Sequence, residues 1–203
     1  MEVHHASFRN ALNTRLREVV KRTLRTDAEH HFSVHHSFAD PHLIKYAVGS
    51  LVRGDDNSVG GFTESIIRRA SKLALPTPIL SAHTHPMPVS SRYVARPSLD
   101  DLVTFSSGRI PLRLIAAVSP RQKKVILLFY REKAVVSLSL KEDVAAGVRA
   151  AESQEEVNRL LSTSGYKVFT LTKPRGKVLL TLSEAQQITS HFKLKEIFEE
   201  NPF

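Results

Sequence analysis

The sequence predicts an α/β fold in which a mixed sheet is flanked by helices. An amphipathic helical pattern opens the chain, several short apolar or alternating runs follow it, and helical patterns separate those runs. With 203 residues, of which 41% are hydrophobic, the chain can bury one substantial core. We therefore expect one domain over residues 1–140 and an α+β C-terminal appendage over residues 141–203.

The first part of the chain has the pattern of a helix, a hairpin and a second helix. Ser7 can cap a first helix whose apolar residues recur at helical spacing. Alternation over residues 29–38 predicts a strand, and residues 43–52 predict the strand that pairs with it. Residues 62–74 again have helical spacing, and Pro76 ends that helix.

The densest group of possible metal ligands follows a short apolar run. Residues 78–82 predict a buried strand, and His83 and His85 would project from one face just beyond it. Ser98 begins a helix in which Asp101 turns back toward the same end. Zinc held by His83, His85 and Asp101 would have three protein ligands and an open fourth position, as in catalytic zinc sites.

Two motifs carry a resemblance to a known family. His-Thr-His-Pro at residues 83–86, followed by Pro-Ser-Leu-Asp-Asp at residues 97–101, resembles the signature of the JAMM/MPN (JAB) domain zinc metalloproteases. One departure concerns the loop, because the family has about seven residues between the second His and the Ser. Here twelve residues, 86–97, intervene. The resemblance implies an MPN-type, cytidine-deaminase-like mixed sheet.

The resemblance also implies a role for each motif residue. His83, His85 and Asp101 would bind Zn²⁺, and Ser98 would help to stabilise a tetrahedral intermediate. A glutamate on an upstream strand would be the general acid/base, and Glu29 matches best because it follows the first helix and begins a strand.

Several of these residues allow a second interpretation. Glu64, in the predicted second helix, competes for the role of the general base, and Glu29 could be a solvated carboxylate at a strand start. Ser98 and Asp101 also form an ordinary helix-capping signal. The four histidines between residues 30 and 36 could be polar positions near the site or a pH-sensitive surface.

The activity implied by the resemblance is amide hydrolysis. The substrate would be an isopeptide bond to lysine in a ubiquitin or ubiquitin-like protein conjugate, and the loop residues Arg92, Tyr93 and Arg96 could contact it. A non-catalytic MPN-type scaffold module is an alternative. A basic nucleic-acid-binding protein with incidental histidines is another.

Beyond the motif, three further strands would complete the sheet. Residues 112–118, 125–130 and 134–140 are apolar or alternating, and together they predict a meander.

The predicted appendage consists of helices around a hairpin. Residues 141–161 predict a helix in two pieces, because Ser153 begins a new capping box. Residues 166–172 and 177–182 predict the hairpin, and Ser183 would cap a last helix. This segment could bind a partner protein.

Composition narrows the possible chemistry and partners. The absence of cysteine excludes disulfides, thiolate zinc ligands and a cysteine nucleophile. A net charge of +9 and a pI of about 10.0 indicate attraction to an acidic protein or to nucleic acid. No apolar run has the length of a membrane span and no signal-peptide core is found, so we expect a cytoplasmic protein without membrane contact.

Overall fold

A mixed sheet lies between two layers of helices in this protein, whose computed structural model describes residues 2–37, 45–49, 51–53, 78–87, 93–103 and 110–194. The strands are β1 (His30–Ser37), β2 (Lys45–Val48), β3 (Val52–Arg53), β4 (Pro78–Pro86), β5 (Leu112–Val118), β6 (Lys124–Glu132) and β7 (Tyr166–Pro174). The helices of these ranges are α1 (Glu2–Thr26), α2 (Leu99–Val103), α3 (Leu138–Ala150), α4 (Gln154–Thr163) and α5 (Leu182–His191), with a 3-10 turn at Arg175–Lys177. The predicted mixed α/β class is confirmed.

The strand order places the end of β4 in the middle of one sheet edge. The order is β2-β1-β4-β5-β6-β7, and β3 pairs with β1. Only β4 and β5 are parallel among the described pairs. Parallel neighbours end at the same edge of a sheet. The start of β1, the ends of β4 and β5, the start of β6 and the end of β7 therefore lie along one edge, which we call the site edge.

Each face of the sheet buries its own apolar cluster. On one face, α1 and α5 cover β1, β4, β5 and β6. On the other face, α2, α3 and α4 cover β5 and β6. Because side chains alternate along a strand and Ala82 belongs to the α1 cluster, His83 and His85 face the α2 layer.

The C-terminal segment, residues 141–194, belongs to the same sheet and core. β7 pairs with β6 along its full length, and Ile188 of α5 lies in the cluster that α1 covers. Asn13 of α1 also exchanges two hydrogen bonds with the backbone of Leu180, at 3.0 and 2.9 Å. The segment that the sequence marked as an appendage thus completes the fold.

The first half of the chain differs from its prediction in two places. Ser7 does not cap α1, which begins earlier, and its hydroxyl instead accepts a hydrogen bond from the backbone N–H of Tyr46 at 3.0 Å. The predicted hairpin is present, but its second strand is divided into β2 and β3 at Gly49, whose N–H donates to the Ser33 carbonyl. The helix predicted over residues 62–74, with Glu64, lies outside the described residues.

In the second half, the predicted strand over residues 134–140 is wrong. Ser137 caps α3 instead, because its hydroxyl accepts the N–H of Leu140, and Val135 is 94% exposed. The break before α4 is confirmed, since Ser153 caps that helix.

The predicted C-terminal hairpin is also wrong. Residues 177–182 form no strand, and β7 pairs with β6. Thr181 and Glu184 form a reciprocal capping box for α5, two residues before the predicted cap at Ser183. No helix in the described ranges combines the length and apolarity that crossing a membrane requires.

Candidate metal centre

Two imidazoles meet at the site edge. β4 continues through His83 and His85 to Pro86, so both rings project from the same face, as the two-residue spacing predicted. Their Nε2 atoms lie 2.8 Å apart. His83 is buried, and the side chain of His85 is 15% exposed. The site thus has one sealed side and one side open to solvent.

A helix start supplies the carboxylate that faces these rings. The Ser98 backbone N–H and hydroxyl both donate to Asp101 Oδ2, at 2.7 and 2.8 Å, and the Asp101 N–H donates to Ser98 Oγ at 3.1 Å. The Asp101 carboxylate therefore belongs to the helix cap and also faces the two imidazoles. The cap holds the Asp101 carboxylate, which is fully buried, in one orientation.

The ligand atoms lie close enough together to share one metal ion. Asp101 Oδ1 lies 3.1 Å from His83 Nε2, and Asp101 Oδ2 lies 3.3 Å from His85 Nε2. Zinc bonds of about 2.0–2.2 Å with tetrahedral angles would separate the ligand atoms by about 3.3–3.6 Å, so the two imidazole nitrogens, 2.8 Å apart, would move slightly apart on binding. Within the described part of the chain, the buried Asp101 Oδ1 meets no possible hydrogen-bond donor other than His83 Nε2. A cation would satisfy this oxygen, so these residues fit zinc.

Glu29 stands beside the ligands at the end of α1. Asp27 takes a left-handed conformation with φ of 50° and turns the chain from α1 into β1. Glu29 Oε1 then lies 3.6 Å from His85 Nε2. Glu29, His83 and His85 together bring ligand atoms within 4.8 Å of one another. Because Asp101 lies nearer to both rings, we take Asp101 as the third ligand and Glu29 as its neighbour.

A cleft opens beside Glu29. It has a volume of about 290 Å³, and its walls include Glu29, His85, Met87, Val94 and Arg96. Glu29 is 20% exposed at its side chain, so its carboxylate is accessible from this cleft. A substrate group in the cleft would therefore meet both Glu29 and His85.

The two carboxylates of the site are held in their ionised form. Burial alone would raise the pKa of Asp101, but the adjacent His83 and His85 outweigh burial and hold that pKa well below its usual range. Burial also opposes ionisation of Glu29, yet His31 and His85 lower its pKa. Burial likewise opposes protonation of His85, but Asp101 raises its pKa. The two carboxylates thus favour a positive charge beside them, whether a protonated imidazole or a bound cation carries it.

The sequence pattern did not single out His31 as part of this group. Its ring is fully buried and stacks on His83 with 5.1 Å between centroids. Its Nε2 lies 3.5 Å from Glu29 Oε2, and burial lowers its pKa to about 4. The register that pairs His31 with His83 explains the contact, and only strand pairing could have revealed it.

The other three histidines of β1 are buried as well. His30, His35 and His36 are each less than a tenth exposed, so the predicted pH-sensitive surface is wrong. His35 Nε2 is 2.7 Å from Ser33 Oγ, a contact that lies away from the metal ligands.

A buried hydroxyl pair ties Glu29 to β4, the strand that carries His83 and His85. Thr84, between His83 and His85, points to the opposite face, where its hydroxyl forms a hydrogen bond with that of Thr23 at 2.6 Å. The backbone N–H of His30, the residue after Glu29, donates to Thr84 Oγ1 at 3.0 Å. The Thr84 hydroxyl therefore joins α1, the start of β1 and the end of β4.

The long loop before Ser98 is held against the α3–α4 junction. Arg96 donates to the backbone carbonyls of Arg149 and Ala151, at 3.1 and 2.9 Å. The Tyr93 hydroxyl donates to backbone carbonyls of β5 and β6. Arg96 and Tyr93 thus hold the loop in place, and Arg96 also lines the cleft. Arg92 lies outside the described residues.

The sequence matches no protein-family model, and no curated protein matches it either. The likeness to JAMM/MPN proteases thus rests on the motif residues alone.

Proposed function

We propose that this protein is a zinc-dependent amide hydrolase with an MPN-type fold. The observation that carries the proposal is the convergence of His83 Nε2, His85 Nε2 and the Asp101 carboxylate within 2.8–3.3 Å of one another, beside a cleft that exposes Glu29. Two imidazoles and one carboxylate are a ligand set of catalytic zinc sites. When bound, zinc would supply a Lewis acid and would make water acidic enough to react near neutral pH.

Glu29 is the proposed general acid/base. Its carboxylate is ionised, partly exposed and next to His85, so it can accept a proton from the attacking water at one of its oxygens. The same carboxyl group would then pass that proton to the departing amine nitrogen. His31 supports this role because it contacts the other carboxylate oxygen.

Ser98 orients Asp101, because its hydroxyl donates to that carboxylate. The second role that the resemblance implies, stabilisation of the oxyanion, would require this hydroxyl to turn away from Asp101. Ser98 is exposed, which leaves room for such a rotation. Two functions would then share one hydroxyl group.

The proposed substrate is an isopeptide bond to lysine in a ubiquitin or ubiquitin-like conjugate. The resemblance suggests this class, and the size of the cleft agrees with it. A volume of about 290 Å³ lies at the small end for ligand sites, where a single side chain with its adjoining amide fits. A lysine side chain linked to a flexible C-terminal tail has that shape.

The first experiment measures zinc and cleavage together. Purified protein should carry about one zinc ion per chain by elemental analysis. Asp101→Asn should lose the metal, because an amide offers a weaker ligand. Glu29→Gln should keep the metal but lose cleavage of isopeptide-linked ubiquitin dimers. Glu142→Gln, an exposed carboxylate on α3, is the matched control and should retain both properties.

The outcomes separate the alternatives. Protein that neither contains zinc nor takes it up would refute the site. Unchanged cleavage by Glu29→Gln would exclude Glu29 as the general base. Wild-type protein that binds zinc and cleaves no isopeptide would indicate the non-catalytic scaffold instead.

A further inference from the structure

Five basic side chains cluster at the site edge beyond the metal centre. They lie in the β5–β6 loop, at the start of β6 and in the 3-10 turn after β7: Arg121, Lys123, Lys124, Arg175 and Lys177. We call them the basic patch. The two segments are joined, because the Arg175 N–H donates to the Lys123 carbonyl at 2.8 Å and its guanidinium donates to the Pro120 carbonyl at 2.9 Å.

Among the described residues, no carboxylate pairs with the charges of the basic patch. Arg121, Lys123, Lys124 and Lys177 are exposed, and no member forms an ion pair with a carboxylate of the described residues. By contrast, Arg15 and Arg22 on α1 both pair with Glu18. Unpaired positive charges concentrated in two adjoining turns produce a local field that favours an anionic partner.

The basic patch continues the surface of the cleft. Met87, in the cleft wall, donates its N–H to the Val118 carbonyl, directly before the β5–β6 loop. Val94, also in the wall, follows Tyr93, whose ring lies 6.0 Å from the Lys124 ammonium. From β4 to β7 the edge crosses three strand spacings, which is about 14 Å or about four residues of extended chain.

Two classes of polyanion could meet such a patch, and the surroundings favour polypeptide. Non-specific binding of single-stranded nucleic acid relies on exposed aromatic faces that stack on bases. In the described part of the site edge, the neighbouring aromatic is Tyr93, and the Lys124 ammonium lies over its ring while its hydroxyl bonds the backbone. A short extended run of glutamate or aspartate needs only the cations, as the phosphates of a duplex do, and the continuity of the patch with the proposed peptide cleft favours the polypeptide.

We propose that the basic patch binds an acidic polypeptide segment of the substrate that adjoins the bond in the cleft. The identification of the acidic segment as part of a substrate rests on the proposed function, but the binding surface itself does not depend on catalysis. The substrate class is thereby narrowed to conjugates that carry acidic residues within a few positions of the scissile amide.

The test uses the full chain and a fluorescein-labelled oligoglutamate of about six residues, which is long enough to span the distance of about 14 Å from β4 to β7. Fluorescence anisotropy would compare wild type with a variant that combines Arg121→Gln, Lys123→Gln and Lys177→Gln. The matched control combines Arg17→Gln, Lys21→Gln and Lys133→Gln, which are exposed and lie on α1 or after the end of β6. Both variants lose three positive charges, so they differ only in where the charges lie.

The patch variant should weaken oligoglutamate binding by about tenfold, and the control by less than about twofold. Wild-type binding should also weaken as NaCl rises from about 0.05 to 0.2 M. A benzophenone at one peptide end should crosslink to the cleft near Met87.

Equal loss in the two variants, or crosslinks only on α1, would refute the patch. Tighter binding of a DNA duplex than of oligoglutamate, with the same dependence on the patch, would overturn the choice of polypeptide. Because no cleavage is measured, a failed hydrolase assay leaves this test intact.

Discussion

Replacing Thr84 by valine should weaken the structural support of Glu29 while leaving the proposed metal ligands in place. Valine keeps the shape of threonine but removes a hydroxyl that is fully buried. That hydroxyl accepts the His30 N–H at 3.0 Å and bonds the Thr23 hydroxyl at 2.6 Å. The change therefore leaves the buried backbone N–H of His30 without its acceptor and removes one hydrogen-bond partner of the Thr23 hydroxyl.

The magnitude follows from these two contacts. A buried donor left without a partner costs about 1–3 kcal/mol, and the lost hydroxyl pair adds about 1 kcal/mol. Thr23 keeps a contact with His30 Nδ1 at 3.3 Å, which limits the second cost. We expect Thr84→Val to lower the free energy of unfolding by about 2–4 kcal/mol. Thr84→Ser, which keeps the hydroxyl and loses one methyl, should lose only about 1 kcal/mol.

Urea denaturation of the metal-free protein would measure these differences. A cycle with Thr23→Val should give a coupling energy of about 1 kcal/mol, since each single variant breaks the same bond. The zinc content of Thr84→Val should stay near that of wild type, while cleavage should fall because Glu29 loses its anchor. Equal stability of the valine and serine variants, or loss of zinc with retained cleavage, would contradict this reasoning.

Two further predictions concern stability away from the ligands. Burial opposes ionisation of Glu184, but Lys173 at 2.6 Å and the Thr181 cap lower its pKa. Its carboxylate therefore stabilises the fold above the ordinary pKa of 4.5, and this stabilisation is lost as pH falls through the lowered pKa. Glu184→Gln should therefore cost about 1 kcal/mol near neutral pH, and a series of denaturation curves should show the difference vanishing in acid. Gly49→Ala should destabilise the hairpin by about 1–3 kcal/mol, because the new Cβ would lie 2.5 Å from Ser33 Oγ. A melting temperature equal to that of wild type would mean that the neighbouring side chain moves aside without cost.

Local patterns in the sequence predicted how the candidate site residues are placed within their own elements. Alternation on β4 places His83 and His85 on one face, and the Ser98 cap turns Asp101 back toward the helix start. Both features depend on residues within four positions of one another, so strand and helix periodicity suffice to predict them. The same reasoning predicted β5, β6 and the break between α3 and α4.

Local patterns failed where two interpretations competed over a few residues. Ala134 to Leu140 alternates like a strand, yet Ser137 begins a helix there, since a cap satisfies backbone donors that no neighbouring strand would pair. The run after Lys177 is apolar because Val178 and Leu180 fill the core under α1, so its hydrophobicity reflects burial without strand pairing.

The separation along the sequence between contacting residues explains which contacts of the site could be predicted and which could not. His-x-His and Ser-x-x-Asp are contacts within one element, and backbone geometry alone specifies them. Glu29 reaches His85, His31 stacks on His83, and Thr84 bonds Thr23 only because α1 packs across the sheet and β1 pairs with β4 in one register. A shift of one residue in that register would send His31 to the opposite face, since side chains alternate with a period of two. Which residues surround the candidate metal ligands is therefore a property of strand pairing and helix packing, in which many apolar contacts act together.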